Sequence, residues 1–159
     1  ILSVVKSNVK KVSASGVAVV SDSHDIANAR VEFDNGCVAN ITASRISLKN
    51  MRKTRFFQKD AYISVDFLRK ETEVCELEDI QGEPDPFDLV LDLGNNGPRK
   101  KILVDKPEIK ESNAIRDELI SFHECITEGK DTPVTIDDGL NAMALAYRIL
   151  DEMSKVYLK

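Results

Sequence analysis

Few side chains in this 159-residue chain are of types that do chemistry unaided. Of two histidines, His24 sits in Ser21-Asp22-Ser23-His24-Asp25. The acids beside it would suit a metal, but the polar run reads as a solvated loop. His123 is followed by Glu124 and Cys125, and on a helix such close neighbours point around the axis instead of converging on an ion. Cys37, Cys75 and Cys125 are odd in number and far apart. They form neither a C-x-x-C pair nor a zinc pattern, so they read as buried, reduced thiols of a cytoplasmic protein. Gly94-Asn95-Asn96-Gly97 lacks the G-x-G-x-x-G spacing and a following helix that could present amides to a pyrophosphate, so it reads as a turn. Asp105-Lys106-Pro107 reads as a strand exit. No catalytic residue and no metal ligand is assigned.

Arg45 stands apart. It falls in phase with Cys37, Ala39, Ile41 and Ala43, so it projects from the packed face at a strand's end. A guanidinium there needs an acidic or phosphate partner. Lys49, Arg52, Lys53 and Arg55 follow and form a basic rim in a chain of net charge -5. Arg45, Lys49 and Arg52 are therefore candidate contacts for an anionic substrate, and for Arg45 a structural ion pair stays equally open.

The element that positions Arg45 is a hairpin. Ala27, Ala29, Val31 and Phe33 alternate with polar residues, Asp34-Asn35-Gly36 interrupts, and Cys37, Ala39, Ile41 and Ala43 resume the alternation. A two-residue loop would set Asp34 opposite Cys37 and split the apolar residues between faces. A three-residue loop with Gly36 left-handed sets Phe33 opposite Cys37 and gathers them on one side, so the longer loop is expected. The other face carries Asn28, Arg30, Glu32, Val38, Asn40, Thr42 and Ser44.

Around the hairpin, Ile1–Lys6 reads as a helix end and Val9–Val20 as a strand bent at Gly16. Thr54–Gln58, Tyr62–Phe67, Arg69–Leu77 and Ile102–Val104 read as further strands, and Glu78–Asp88 as an acidic loop. The period then changes. Ile115, Leu119, Phe122 and Ile126 follow Asn113, a good cap, and stop at Gly129. Thr135-Ile136-Asp137-Asp138 opens a second helix with Leu140, Met143, Ala144, Tyr147 and Leu150 as its stripe. Strands first and helices last predict an α+β fold, an open, mostly antiparallel sheet with helices on one face, in a single domain over 1–159. Composition agrees: 42% hydrophobic and 31% charged. No apolar run reaches the ~20 residues that span a bilayer, and the negative charge argues against a nucleic-acid binder. The chain lacks an initiator Met and reads as a fragment whose upstream address stays open.

The hairpin, the block Phe56-Phe57-Gln58-Lys59-Asp60-Ala61-Tyr62-Ile63-Ser64-Val65-Asp66-Phe67 and the helix–Thr132-Pro133-Val134-Thr135-Ile136-Asp137-Asp138-Gly139–helix, in this order, resemble one family. It is the C-terminal domain of the glucose-fructose oxidoreductase, inositol dehydrogenase and MocA superfamily, a dihydrodipicolinate-reductase-like fold. The resemblance implies an N-terminal Rossmann domain holding NAD or NADP, a sugar or cyclitol substrate, and a homodimer through the open sheet face, here Arg30, Glu32, Asn40, Thr42 and Ser44. Departures from the family are plain. The chain has no glycine-rich loop and no Asp/His pair for proton transfer, and Asp105-Lys106-Pro107 lies too late to be the family's Glu-Lys-Pro, so no catalytic role passes to Lys106. As presented it is expected to hold no cofactor and not to turn over. A stand-alone, non-catalytic binding or dimerisation module is the alternative.

Overall fold

The computed structural model describes residues 1–92, 94 and 99–156. In chain order it runs β1 (Val9–Val17), β2 (Ile26–Phe33), β3 (Val38–Ser44), β4 (Lys53–Gln58), β5 (Ala61–Asp66), β6 (Glu71–Asp79), β7 (Val90–Asp92), β8 (Arg99–Asp105), α1 (Ala114–Glu128) and α2 (Ile136–Val156). The fold is α+β, and its strand pairs are antiparallel. The chain divides into two compact units, Ile1–Leu48 with Asn113–Lys159, and Lys49–Ser112. Each carries its own sheet, ordered β1-β2-β3 in the first and β4-β5-β6-β8-β7 in the second.

In the first unit the hairpin has the register that burial demands. Val31 pairs with Ala39 and Glu32 with Val38, which sets Phe33 opposite Cys37, and the Phe33 amide donates to the Cys37 carbonyl at 2.9 Å. Gly36 has φ 84°, a conformation that costs a Cβ-bearing residue about 1–2 kcal/mol. Asn35 Oδ1 accepts from the Cys37 amide at 3.0 Å and closes the three-residue loop. The gathered face forms the core: Val12, Val31, Phe33 and Leu145 are buried, with Leu2, Val5, Cys37, Ile41 and Ile149 around them.

Helix α2 lies against β1 through Leu145, Ile149 and Met153, at four-residue spacing. The stripe expected to pack, Leu140, Met143, Ala144, Tyr147 and Leu150, is exposed. At about 100° per residue the two stripes lie on nearly opposite sides of the helix, so periodicity alone offered two answers. The caps are as expected. Asn113 Oδ1 accepts from the Arg116 amide at 3.1 Å, and Gly129 ends α1 left-handed at φ 66°. Thr135 Oγ1 accepts from the Asp138 amide at 3.2 Å while Asp138 Oδ2 accepts from the Thr135 amide at 2.9 Å, a reciprocal box with Asp in place of Glu. Helix α1 buries no residue, so Ile115, Leu119, Phe122 and Ile126 all face outward.

In the second unit, Ser64 is the buried residue among those described, and Phe56, Ile63 and Val74 form a half-buried cross-strand row. β7, a three-residue strand, pairs with β8 and was not apparent from the sequence. The expected Gly94–Pro98 turn lies outside the described residues except for Gly94, at φ 68°.

Candidate functional site

The pairing that places Phe33 opposite Cys37 also places Arg45 opposite Asp25, one step beyond Ile26 and Ser44. The Arg45 amide donates to the Asp25 carbonyl at 3.0 Å. Asp25 follows the inward phase of Ala27, Ala29 and Val31, and its side chain is wholly buried. Its carboxylate accepts from the amides of Val19, Val20 and Ser21 at 2.8, 2.8 and 3.1 Å and from Ser21 Oγ at 2.9 Å. Arg45 Nε closes the arrangement at 3.1 Å. The backbone donors from Val20 and Val19 hold the Asp25 carboxyl far below the usual carboxylate range, with burial opposing and Ser21 assisting. Arg45 thus has its acidic partner inside the domain. Its Nη2 also donates to the His24 carbonyl at 2.6 Å and to Ser23 Oγ at 2.7 Å, so the side chain braces the loop between β1 and β2. That side chain is still 56% exposed, which leaves room for a contact from outside.

His24 is half-buried against β1. A Cβ built on Gly16 would lie 2.4 Å from its Cδ2. Gly16 is therefore a site of close approach, and its backbone is not left-handed. The loop rests on Gly16 below, Asp25 within and Arg45 outside. Sequence reasoning missed Asp25 as the anchor, although the register argument, extended to the end of the hairpin, pairs it with Arg45.

Lys49 and Arg52 are exposed at the start of the second unit, and the Arg52 carbonyl extends the β4–β5 ladder by accepting from the Phe67 amide at 2.8 Å. Two polar grooves occur in that unit. One of about 300 Å³ is lined by Lys53, Ser64, Asp66, Lys70, Glu71, Thr72, Glu73, Lys106 and Pro107. Lys106 pairs there with Glu73 at 3.2 Å, so the Asp-Lys-Pro string is a strand exit. The other, of about 460 Å³, includes Asp60, whose carboxylate pairs with Lys100 at 3.0 Å. The Lys100 ammonium holds Asp60 below its ordinary range. The open face of the first unit's sheet is polar and internally paired. Arg30 Nη1 donates to Asn40 Oδ1 at 3.2 Å, Arg30 lies 3.4 Å from Glu32, and Thr42 Oγ1 donates to Asn28 Oδ1 at 2.9 Å.

Among the described residues no His/Cys/Asp/Glu group is placed to hold a metal, and no helix is long and apolar enough to cross a membrane. Cys37, Cys75 and Cys125 are free and half-buried. Among the described residues no helix presents free first-turn amides after a glycine-rich turn, the cradle a dinucleotide's pyrophosphate would need. The first-turn amides of Arg116 and Asp138 are taken by Asn113 and Thr135, and neither helix follows a glycine-rich turn.

No family model matches the chain. A UDP-N-acetylglucosamine 3-dehydrogenase of Acidithiobacillus ferrooxidans is 39% identical over 84 residues, which is 52% of this chain and 27% of that enzyme, in its C-terminal part. Two solved structures of that dehydrogenase superpose with TM-scores of 0.78 and 0.77, at 26% and 24% identity. Each covers 95% of this chain, and they cover 44% and 42% of their own. An NAD-binding protein from Listeria innocua shares the fold at TM-score 0.63 and 15% identity, over 97% of this chain and 46% of its own. The chain spans less than half the length of each of these proteins.

Proposed function

We propose, from the premise that this chain is a C-terminal domain of the glucose-fructose oxidoreductase, inositol dehydrogenase and MocA superfamily, that it forms the substrate-side and assembly half of a cytoplasmic NAD(P)-dependent oxidoreductase. The substrate is a sugar, sugar derivative or cyclitol, and the dehydrogenase relative points to a nucleotide-activated hexosamine. The observation carrying this reading is the likeness to that dehydrogenase over 95% of the chain.

A nicotinamide held by a separate N-terminal domain would accept or deliver the hydride, and this chain would supply position. Its sheet forms a wall of the pocket, and the cations that are candidates to meet the substrate's anionic groups are, within the first unit, the exposed side of Arg45 and, within the second, Lys49 and Arg52. Alone, the chain neither binds the cofactor nor turns over. The test is nicotinamide reduction by the whole polypeptide with UDP-N-acetylglucosamine, UDP-glucose, glucose and inositol. Arg52→Ala or Lys49→Ala should raise KM about tenfold, as expected for a lost charge-assisted contact. Reduction with none of these sugars would defeat the reading. A coding sequence without an upstream strand–G-x-G-x-x-G–helix would favour the binding-module alternative.

Assembly uses the open face of the first unit's sheet. Arg30, Glu32, Asn40, Thr42 and Ser44 present a flat surface whose polar groups partner one another, so a two-fold copy meets it at modest desolvation cost. Asn40→Lys or Thr42→Lys should convert a sedimenting dimer to a folded monomer. A dimer that survives both substitutions would refute this interface.

A further inference from the structure

The geometry points to Asn35 as a site of spontaneous deamidation whose rate is set by opening of the loop between β2 and β3. Asn35 is exposed and is followed by Gly36, which has no Cβ to shield its amide nitrogen. In the reaction that nitrogen attacks Cγ of Asn35. The new C–N bond closes a succinimide ring, the bond from Cγ to Nδ2 breaks, and ammonia leaves with the proton of the Gly36 amide. Water then adds to either imide carbonyl and breaks its bond to nitrogen, giving aspartate or isoaspartate at this position. Water is the sole co-reactant.

The folded loop withholds both reacting groups. The Gly36 amide donates to the Phe33 carbonyl at 3.0 Å, so removing its proton would leave a charged nitrogen against a carbonyl oxygen. Asn35 Oδ1 accepts from the Cys37 amide at 3.0 Å, which ties the side chain to the nitrogen beyond the one that must attack. The loop is also held from the side. The Asn35 amide donates to Ser7 Oγ at 3.1 Å and the Asp34 amide to the Asn8 carbonyl at 3.0 Å, so the segment ahead of β1 clamps the hairpin tip. Attack therefore waits for the loop to open, and two hydrogen bonds of ordinary net strength slow it about tenfold to a hundredfold. The aspartate product keeps a side-chain acceptor. Isoaspartate instead inserts a methylene into the main chain of a three-residue loop whose length sets the pairing of Phe33 with Cys37, and so weakens the hairpin.

Peptide mapping of the whole polypeptide, aged at mildly alkaline pH, tests this. Asn96→Gln is built in so that the second Asn-Gly pair of the sequence, Asn96-Gly97, does not contribute. Asn35 should convert to a mixture of isoaspartate and aspartate, at least about tenfold more slowly than in a synthetic peptide of residues 30–40. The retardation should match the hydrogen-exchange protection of the Gly36 amide, since both report the same opening. Ser7→Ala should speed conversion while β2 stays protected, and protein rich in isoaspartate should unfold at lower urea than fresh protein. Conversion as fast as in the peptide, or faster, would overturn the proposal, because the loop would then leave the reacting groups free or activate them. So would a rate unrelated to the Gly36 protection, or one that a folded Ser7→Ala leaves unchanged. Should Ser7→Ala fail to fold, the match between rate and protection in the parent chain still decides.

Discussion

Gly16→Ala tests the seating of the loop that carries His24, Asp25 and the contacts of Arg45. Gly16 lies in β1 without a left-handed backbone. On backbone entropy alone, alanine there would stabilise by about 0.4–1 kcal/mol. The space says otherwise. An added Cβ would stand 2.4 Å from His24 Cδ2, 2.8 Å from its Cγ and 2.8 Å from Met153 Sδ, where carbon pairs rest at about 3.5–4.0 Å. Met153 is 3% exposed, and the His24 carbonyl is held by Arg45 at 2.6 Å, so neither neighbour has easy room to yield. Overpacking of this kind costs about 1–3 kcal/mol and outweighs the entropy gain, leaving a net loss of about 1–2 kcal/mol. Urea unfolding of wild type, Gly16→Ala, His24→Ala and the double variant reads it directly. The two changes should couple by about 1 kcal/mol, because removing the ring makes room for the methyl. A neutral or stabilising Gly16→Ala, or additive losses in the double variant, would refute the close-approach argument.

Two further outcomes follow from the same unit. The Asp25 carboxyl is depressed in the folded state, so its stabilisation is complete above the ordinary carboxylate pKa of about 4 and fades as pH falls below it; unfolding midpoints followed from neutral to acid pH should drop there, and drop less in Asp25→Asn, which is also weaker at neutral pH. Asn113→Ala removes the acceptor of the Arg116 amide and should lower the helicity of α1 and cost about 1 kcal/mol, measured by circular dichroism of the whole polypeptide, whereas Asn113→Asp should keep the cap.

What could be read in advance was what one strand or one turn decides locally. The hairpin register followed from burial, because a one-residue slip would have carried Val31 and Phe33 to the polar face. The caps at Asn113, Gly129 and Thr135 are side-chain and backbone chemistry within a single turn, so they needed no tertiary knowledge. The division of the strands into two sheets was not legible, since no pattern within β3 or β4 says that they do not pair. β7 was hidden because three residues carry too little alternation to register. Asp25 was missed for a different reason: its partners lie in a loop whose backbone amides carry no sequence signature, and only Arg45, twenty positions on, betrayed the need for an acid.

The helices show where sequence periodicity stops being decisive. α2 carries one stripe ending in Leu145, Ile149 and Met153 and a second through Leu140, Met143 and Tyr147, and both satisfy the amphipathic pattern. Only the sheet determines which is inward, and it selects the stripe that meets β1 at Gly16, where Met153 fits because no side chain is present. The second stripe is then surplus to this unit's own core, as is the apolar stripe of α1. Exposed apolar surface of this extent marks a candidate interaction site. The polar side chains brought together around Asp25 act in another way: Ser21, Ser23 and Arg45 tie one loop to the end of the hairpin.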